Sequence, residues 1–216
     1  MLSCYTVRMT SASYTQLSAT VASGDVILRR GKGPLSSVIA WYLHDGTHCS
    51  HCALIVGKKD LAGAGCLFPE KRIGFGETSA DIGRENILVV HSVAAGLSGV
   101  NGVQLETLRG FLRHSAPGTD AVYRPCMDDA VRMRTIAAAA DAVNKAVPFD
   151  NLYRSGNQDA MYCSSFLIRI FSQAGWEGCR SLQTRHGILC FSSFSDPRRY
   201  QRIYQDVQKT DIPSPV

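Results

Sequence analysis

The chain has 216 residues, 45% of them hydrophobic, and a formal net charge of +5 at pH 7. This length and composition are typical of a single globular domain that buries one full core. The Lys and Arg residues are scattered along the chain, so the modest positive charge does not predict a nucleic-acid partner. No stretch approaches the roughly 20 apolar residues that span a bilayer, so we expect no transmembrane segment.

The first 23 residues are rich in Ser and Thr. They lack the apolar run of about 7–15 residues that a Sec signal peptide needs. We therefore predict a loosely ordered extension over residues 1–23 and synthesis in the cytoplasm without a Sec signal. The eight cysteines are dispersed through the chain, and in this context dispersed cysteines favour reduced thiols over four disulfides.

The first half of the chain is predicted to contain short apolar strands and one helix. Residues 26–28 form the first predicted strand, and residues 36–43 form the helix. Residues 51–57 and 87–91 are continuous apolar runs, which are typical of strands buried on both faces. The Gly-rich residues 62–83 between these two runs are predicted to form a loop.

The second half carries the stronger helix signals. A strand is predicted over residues 121–124, followed by a long helix over 128–146 with acidic residues in its first turn and an alanine-rich middle. A second amphipathic helix is predicted over residues 163–174, because its apolar residues share one face and a glycine follows. Residues 190–194 are predicted to form a last strand. Together these elements predict one α+β domain.

The sequence Tyr162-Cys163-Ser164-Ser165-Phe166 places a cysteine at the first turn of that amphipathic helix. Unpaired backbone N–H groups and the positive end of the helix dipole lower the pKa of a thiol at such a position. Cys163 is therefore a candidate nucleophile. The alternative is that it is a small buried hydrophobe, which is the usual role of a free cysteine.

A thiol nucleophile needs a histidine base and a polar group that orients this base. His51 opens one predicted strand and His91 ends another, so the two side chains meet at one end of the sheet if these strands are antiparallel neighbours. The backbone N–H groups around Cys163 and the hydroxyl of Tyr162 are candidate oxyanion donors.

A cluster of zinc-binding residue types lies just before and within the same strand. Alternation along a strand sends its members to opposite faces, and the sequence here has neither a helical His-x-x-x-His motif with a Glu nor two paired Cys-x-x-Cys motifs. We therefore predict no metal site and no cofactor. The cluster comprises His44, His48, Cys49, His51 and Cys52.

The order of these features resembles the circularly permuted branch of the NlpC-type papain-like superfamily, the YiiX-like amidases. In that branch the strand with the histidine precedes the helix with the cysteine. The resemblance extends from about residue 24 to residue 200. The matching segments are residues 24–28, 50–57, 89–92, 148–150 and 162–167, and residues 192–197 match more loosely.

This resemblance implies a papain-like α+β domain over residues 24–205, with an antiparallel sheet packed against helices, and a frayed tail over 206–216. It also implies roles for three residues. Cys163 would be the nucleophile, His51 the general base and acid, and His91 the residue that orients His51.

The chain departs from the family pattern at two positions. Many relatives have the sequence Cys-Ser-Glu-Leu at the nucleophile, and in this chain Ser165 replaces the Glu of that motif. Many permuted members also have a Glu after the second strand, where this chain has His91. A histidine is a familiar third member of the triad in the wider superfamily. If His91 were misplaced, Glu85 or Asn86 would be the alternatives.

The resemblance implies hydrolysis of an amide bond, with peptidoglycan stem peptides as the first substrate to consider. An enzyme that acts on the cell wall without a signal peptide would be delivered by dedicated secretion machinery or would act after lysis. This suggests a toxin-like antibacterial effector, for which an inhibitor or immunity protein would be a partner.

Two other functions remain open at this stage. One is a lipid amidase or acyltransferase of the same fold, in which aromatic residues near a groove contact an acyl chain. The other is a non-catalytic member that binds a peptide or a protein. The candidate aromatic residues are Trp41, Tyr42, Phe68 and Phe75.

Overall fold

The protein is described by a computed structural model that covers residues 11–154, 156–179 and 184–206. No helix in these residues is long and apolar enough to cross a membrane. In chain order, the α-helices are α1 (Ser11–Thr20), α2 (Pro34–Leu43), α3 (Lys58–Gly63), α4 (Ser79–Arg84), α5 (Ala95–Ser98), α6 (Leu108–Arg113), α7 (Asp129–Asn144) and α8 (Cys163–Gln173). Short 3₁₀ helices occupy Glu70–Arg72, Glu177–Cys179 and Phe191–Ser195.

The centre of the domain is an antiparallel six-stranded sheet with the strand order β4-β3-β2-β1-β5-β8. A separate two-stranded hairpin is formed by β6 and β7. The predicted α+β class is confirmed. The strands are β1 (Val26–Arg29), β2 (His51–Gly57), β3 (Ile87–Val93), β4 (Gly102–Thr107), β5 (Ala121–Pro125), β6 (Thr184–Arg185), β7 (Ile188–Leu189) and β8 (Tyr200–Gln205).

Both faces of this sheet are buried, which explains the continuous apolar runs in its strands. Successive side chains along a strand point to opposite faces. Val26 and Leu28 lie in the larger core, together with the buried side chains of α7 and α8. Ile27 lies in a second core with Leu17 of α1 and Phe111 of α6.

The strands β2 and β3 are antiparallel neighbours, but their pairing covers only part of their length. The ladder begins at the pair Gly57–Ile87 and ends at the pair Leu54–Val90. The earlier residues of β2 and the later residues of β3 are not paired with each other in this ladder. The chain that leads into α8 lies at this point, because the buried hydroxyl of Ser92 donates to the carbonyl of Met161 over 2.5 Å. The end of the ladder therefore fixes where α8 begins.

Two predicted elements differ from the structure. The predicted strand over 190–194 is wrong, because Phe191–Ser195 forms a 3₁₀ helix whose Phe191 and Phe194 side chains fill the larger core. The predicted loop over 62–83 contains part of α3, a 3₁₀ turn and most of α4. A capping box starts α4, in which Thr78 and Asp81 hydrogen-bond each other's backbone N–H.

The predicted N-terminal extension is partly structured. Residues 11–20 form α1, and Leu17 is fully buried against the second face of the sheet. This differs from the loosely ordered segment that we expected, because one apolar residue anchors the helix to the domain. Residues 1–10 and most of the predicted tail, 207–216, lie outside the described residues. The domain boundaries stay predictions.

Candidate active site

Cys163 is the first residue of α8, with Tyr162 at the N-cap. The turn is held by Ser165, whose hydroxyl donates to the Tyr162 carbonyl over 3.0 Å and accepts the Tyr162 N–H over 2.9 Å. A hydroxyl group thus closes the first helical turn in this chain. Cys163 thereby lies at the positive end of the helix dipole, which favours its thiolate.

Three neighbouring groups lower the pKa of the Cys163 thiol by hydrogen bonding: the thiol of Cys52, the side chain of His51 and the backbone N–H of Cys52. The Cys52 thiol is the strongest of the causes that hold the pKa of Cys163 well below its usual range, and burial opposes it. Burial, followed by the neighbouring Cys163 sulfur, raises the pKa of Cys52 well above 9.0. Cys52 therefore stays protonated and donates to Cys163.

The ring of His51 connects Cys163 to His91. Its Nε2 atom lies 2.8 Å from Nδ1 of His91, which leaves Nδ1 of His51 for the sulfur. Burial is the main cause that lowers the pKa of His51, and its hydrogen bond with Cys163 opposes this shift. Burial also lowers the pKa of His91 well below 6.5. Both rings are therefore neutral near pH 7 and share one N–H across the 2.8 Å contact.

Two buried side chains of β4 lie behind His91. Nε2 of His91 is 3.4 Å from Nε2 of Gln104 and 3.5 Å from Oε2 of Glu106. The other Glu106 oxygen lies 3.8 Å from Nε2 of His114, and neither Glu106 oxygen has a hydrogen-bond partner among the described residues. Burial raises the pKa of Glu106 to about 8, so this carboxyl is mostly protonated at pH 7.

A buried arginine supplies positive charge to the same face of the sheet. Arg29 pairs with His51 in the β1–β2 register. Its guanidinium lies 3.8 Å from the centre of the Phe111 ring and donates to the Phe111 carbonyl. Its charge acts on Glu106 and on Cys163, and a cation near the sulfur favours the thiolate.

Comparison with known proteins identifies the family. Residues 20–186 match the family described as "Permuted papain-like amidase enzyme, YaeF/YiiX, C92 family". The chain belongs to the C92 family. Among solved structures, it is similar to the crystal structure of the metalloprotein YiiX from Escherichia coli O157:H7, with a TM-score of 0.60 and 14% sequence identity over 87% of this chain and 99% of that chain. No curated protein sequence matches. The expected permuted papain-like fold is confirmed.

The structure brings the three predicted residues of this C92-family chain together. Cys163 contacts His51, and His51 contacts His91, at the end of the sheet where β2 begins and β3 ends. The two alternatives for the third position lie elsewhere. Glu85 precedes the other end of β3 and binds Tyr14 and Arg109, and the carbonyl of Asn86 accepts the N–H of Lys58.

Tyr162 is buried next to the candidate nucleophile. Its hydroxyl accepts the backbone N–H of Leu189 over 3.2 Å. Burial raises its pKa to about 12, so the hydroxyl keeps its proton at pH 7 and retains the capacity to donate a hydrogen bond. Its role as an oxyanion donor stays a prediction.

The zinc-binding residue types around β2 are spread over different environments. His44 and His48 are exposed, and the Cys49 thiol donates to the carbonyl of Thr47 over 3.5 Å. In the described part of the chain, no group of three or more His, Cys, Asp or Glu side chains is arranged to hold a metal ion.

Sequence reasoning missed the contributions of Cys52, Glu106 and Arg29. Strand alternation places Cys52 on the face opposite His51, and only the position of α8 at the end of the ladder lets both residues reach one sulfur. Glu106 did carry a signal. It and Gln104 are polar residues in a strand that is buried along its whole length, and such residues mark a site or a network more often than a plain core.

We predict that Cys52→Ala raises the pKa of Cys163, because it removes the strongest donor to the sulfur. The rate of alkylation of Cys163 by iodoacetamide, followed by mass spectrometry as a function of pH, should have its midpoint at higher pH than in the wild type. Cys52→Ser keeps a donor at this position and should move the midpoint less. An unchanged profile in Cys52→Ala would contradict the role assigned to the Cys52 thiol.

We also predict that stability falls with rising pH because of Glu106. The folded state holds this proton up to about pH 8, whereas the reference pKa is 4.5. The folded state therefore binds more protons than the unfolded state between these values, and the free energy of unfolding decreases as pH rises. Glu106→Gln should remove a loss of roughly 1 kcal/mol between pH 7 and 8, measured by urea unfolding.

Asp120 provides the matched comparison, because burial raises its pKa from 3.8 to about 7. Asp120→Asn should therefore flatten the pH dependence mainly below pH 7 and leave most of the fall between pH 7 and 8. If the free energy of unfolding decreased equally between pH 7 and 8 in the wild type and in Glu106→Gln, the buried neutral carboxyl of Glu106 would be ruled out.

Proposed function

We propose that this protein is a cysteine hydrolase that cleaves an amide bond with a Cys163-His51-His91 triad. The observation that carries the proposal is the juxtaposition of the three side chains: Nε2 of His51 lies 2.8 Å from Nδ1 of His91, and the same His51 side chain lowers the pKa of Cys163 by hydrogen bonding and by its charge. Membership in a family of papain-like amidases supports the same reaction class.

In the first half of the proposed reaction, the proton of the Cys163 thiol passes to His51 as the sulfur attacks the carbonyl carbon of the amide, and the C=O electron pair moves onto oxygen. The N–H groups at the start of α8 point toward this region and are suited to stabilise the oxyanion, with the Tyr162 hydroxyl as a further candidate donor. Collapse of the intermediate breaks the C–N bond. The leaving amine takes a proton from His51, and a thioester remains on Cys163.

In the second half, His51 accepts a proton from a water molecule, which attacks the thioester carbonyl. The C–S bond breaks, the acid product leaves, and the sulfur takes the proton from His51, which restores the thiol and the neutral imidazole. His91 does not touch the substrate in this scheme. It holds the His51 ring through Nε2, so that the other nitrogen stays directed at the sulfur and the reacting groups.

We propose peptidoglycan stem peptides as the first substrate, and this rests on the resemblance to the NlpC-type superfamily. If the substrate is the cell wall, we propose that a dedicated secretion system releases the protein as an antibacterial effector. Its partner would then be an inhibitor or immunity protein. A lipid amide is the second candidate. It is favoured by one observation, the strongly exposed Trp41 side chain on α2, which is 74% accessible.

The test is digestion of purified peptidoglycan, with the soluble fragments read by mass spectrometry. The wild type should release new fragments whose masses identify the cleaved amide. Cys163→Ala and His51→Ala should each reduce the rate by at least about 10³-fold, because each removes a reacting group. His91→Ala should lower kcat with little change in KM, because it acts by orienting His51.

Cys66→Ala is the matched control, since Cys66 is another buried cysteine of the larger core, and it is not among the groups that shift the pKa of Cys163. It should leave the rate unchanged. Release by Cys163→Ala at the wild-type rate would overturn the proposed triad. If the wild type released nothing from peptidoglycan but cleaved N-acyl lipids in a Cys163-dependent way, the substrate would be corrected and the triad retained.

A further inference from the structure

The helix α2 exposes its apolar side chains to solvent. Ala40 and Leu43 point into the protein and are buried, whereas the opposite side of this ten-residue helix carries large apolar groups. A helix on the surface of a water-soluble domain normally places polar residues there. The exposed side chains are Leu35, Val38, Trp41 and Tyr42, with accessible fractions of 48%, 56%, 74% and 44%.

These four residues form one continuous strip because of their spacing. Leu35, Val38 and Tyr42 follow each other at intervals of three and four residues, which places them on one side of a helix, and Trp41 lies beside Tyr42. Contiguous exposed apolar residues of this kind mark a surface that binds another molecule or a membrane, unlike scattered single residues. We refer to these four residues as the apolar strip.

Positive charge lies at both ends of the apolar strip. Arg30 and Lys32 precede the helix, and the exposed Arg185 binds the carbonyls of Leu43 and His44 at its C-terminal end through Nη1. In residues 29–48 the sequence contains a single acidic residue, Asp45. An apolar helix face flanked by cations fits an anionic lipid surface, where apolar groups enter the acyl region and cations bind the headgroups.

We propose that the apolar strip, together with Arg30, Lys32 and Arg185, docks this protein on the surface of an anionic phospholipid bilayer. The helix is about 15 Å long at 1.5 Å per residue, so it lies in the plane of the interface and does not span the bilayer. This inference goes beyond the proposed function and does not depend on which amide bond is cleaved.

Short contacts connect α2 to the elements that carry the candidate active site. The helix connects Arg29, at the end of β1, to the strand that starts with His51. At its other end, Arg185 of the β6–β7 hairpin binds α2, and Leu189 of the same hairpin donates to the hydroxyl of Tyr162. The apolar strip and the candidate nucleophile are thus connected through short and well-defined contacts.

The test is flotation of the full chain with vesicles of 30% phosphatidylglycerol in phosphatidylcholine, compared with vesicles of phosphatidylcholine alone. The wild type should bind the anionic vesicles at least tenfold more tightly than the neutral ones, and added salt should weaken this binding. Tryptophan emission should shift to the blue on binding. The chain has two tryptophans, and Trp176 is already buried, so the shift reports Trp41.

Val38→Ser combined with Trp41→Ser should lower binding at least tenfold, because it removes apolar groups that would enter the bilayer. Lys32→Gln combined with Arg30→Gln should lower binding to anionic vesicles only. Leu67→Ser is the matched control, since Leu67 is 79% exposed outside the apolar strip, and it should bind like the wild type. Thermal unfolding of each variant should stay within a few degrees of the wild type.

Two results would overturn the proposal. One is absence of wild-type binding to the anionic vesicles, or binding that the Val38 and Trp41 substitutions leave unchanged. The other is a stable dimer in sedimentation experiments that the same substitutions convert to a monomer, which would assign the apolar strip to a second copy of the chain.

Discussion

The site depends on one structural constraint, which is that the β2–β3 ladder ends at Leu54 and Val90. If the pairing continued, β3 would occupy the space in which α8 begins. Because it ends there, the backbone N–H of Cys52 is free to bind the sulfur of Cys163. The hydroxyl of Ser92 holds the incoming chain from the other strand. The two strands thus form a cleft into which the start of α8 is bound.

Buried electrostatics then determine the protonation states in this cleft. The thiol of Cys163 is surrounded by hydrogen-bond donors, and the buried cation of Arg29 acts on it as well. Behind the sulfur, burial keeps His91 neutral and keeps Glu106 protonated up to about pH 8. The groups closest to the sulfur therefore stabilise negative charge there, whereas burial keeps the Glu106 carboxyl behind them mostly neutral at pH 7. Such an asymmetry is expected of a site that uses a thiolate.

Much of the architecture could be predicted from the sequence because the signals were local. The apolar runs that begin at His51 and end at His91 gave the two strands, and the helix signature placed Cys163 at an N-terminus. Other features depend on contacts between distant segments. Phe191 and Phe194 resemble strand residues in sequence, but they fill a gap in the core from a 3₁₀ helix, and no local pattern reports that gap.

The same limit applies within the site. Alternation along β2 predicts that Cys52 and His51 point to opposite faces, so only the three-dimensional position of α8 shows that both contact one sulfur. The environment of Glu106 likewise depends on the pairing of β4 with β3, which the sequence does not encode within a short window. The apolar strip of α2 is a further case, because the sequence alone does not show whether its apolar residues are buried, and the structure leaves them exposed.

The most direct test of the account is the reactivity of the eight cysteines toward limiting iodoacetamide at pH 7, followed for each residue by mass spectrometry in the wild type and in His51→Gln. We expect Cys163 to be alkylated first in the wild type and to lose this preference in His51→Gln, because the imidazole no longer supports the thiolate. Equal reaction of Cys163 and the other cysteines in the wild type, or an unchanged preference in His51→Gln, would contradict it.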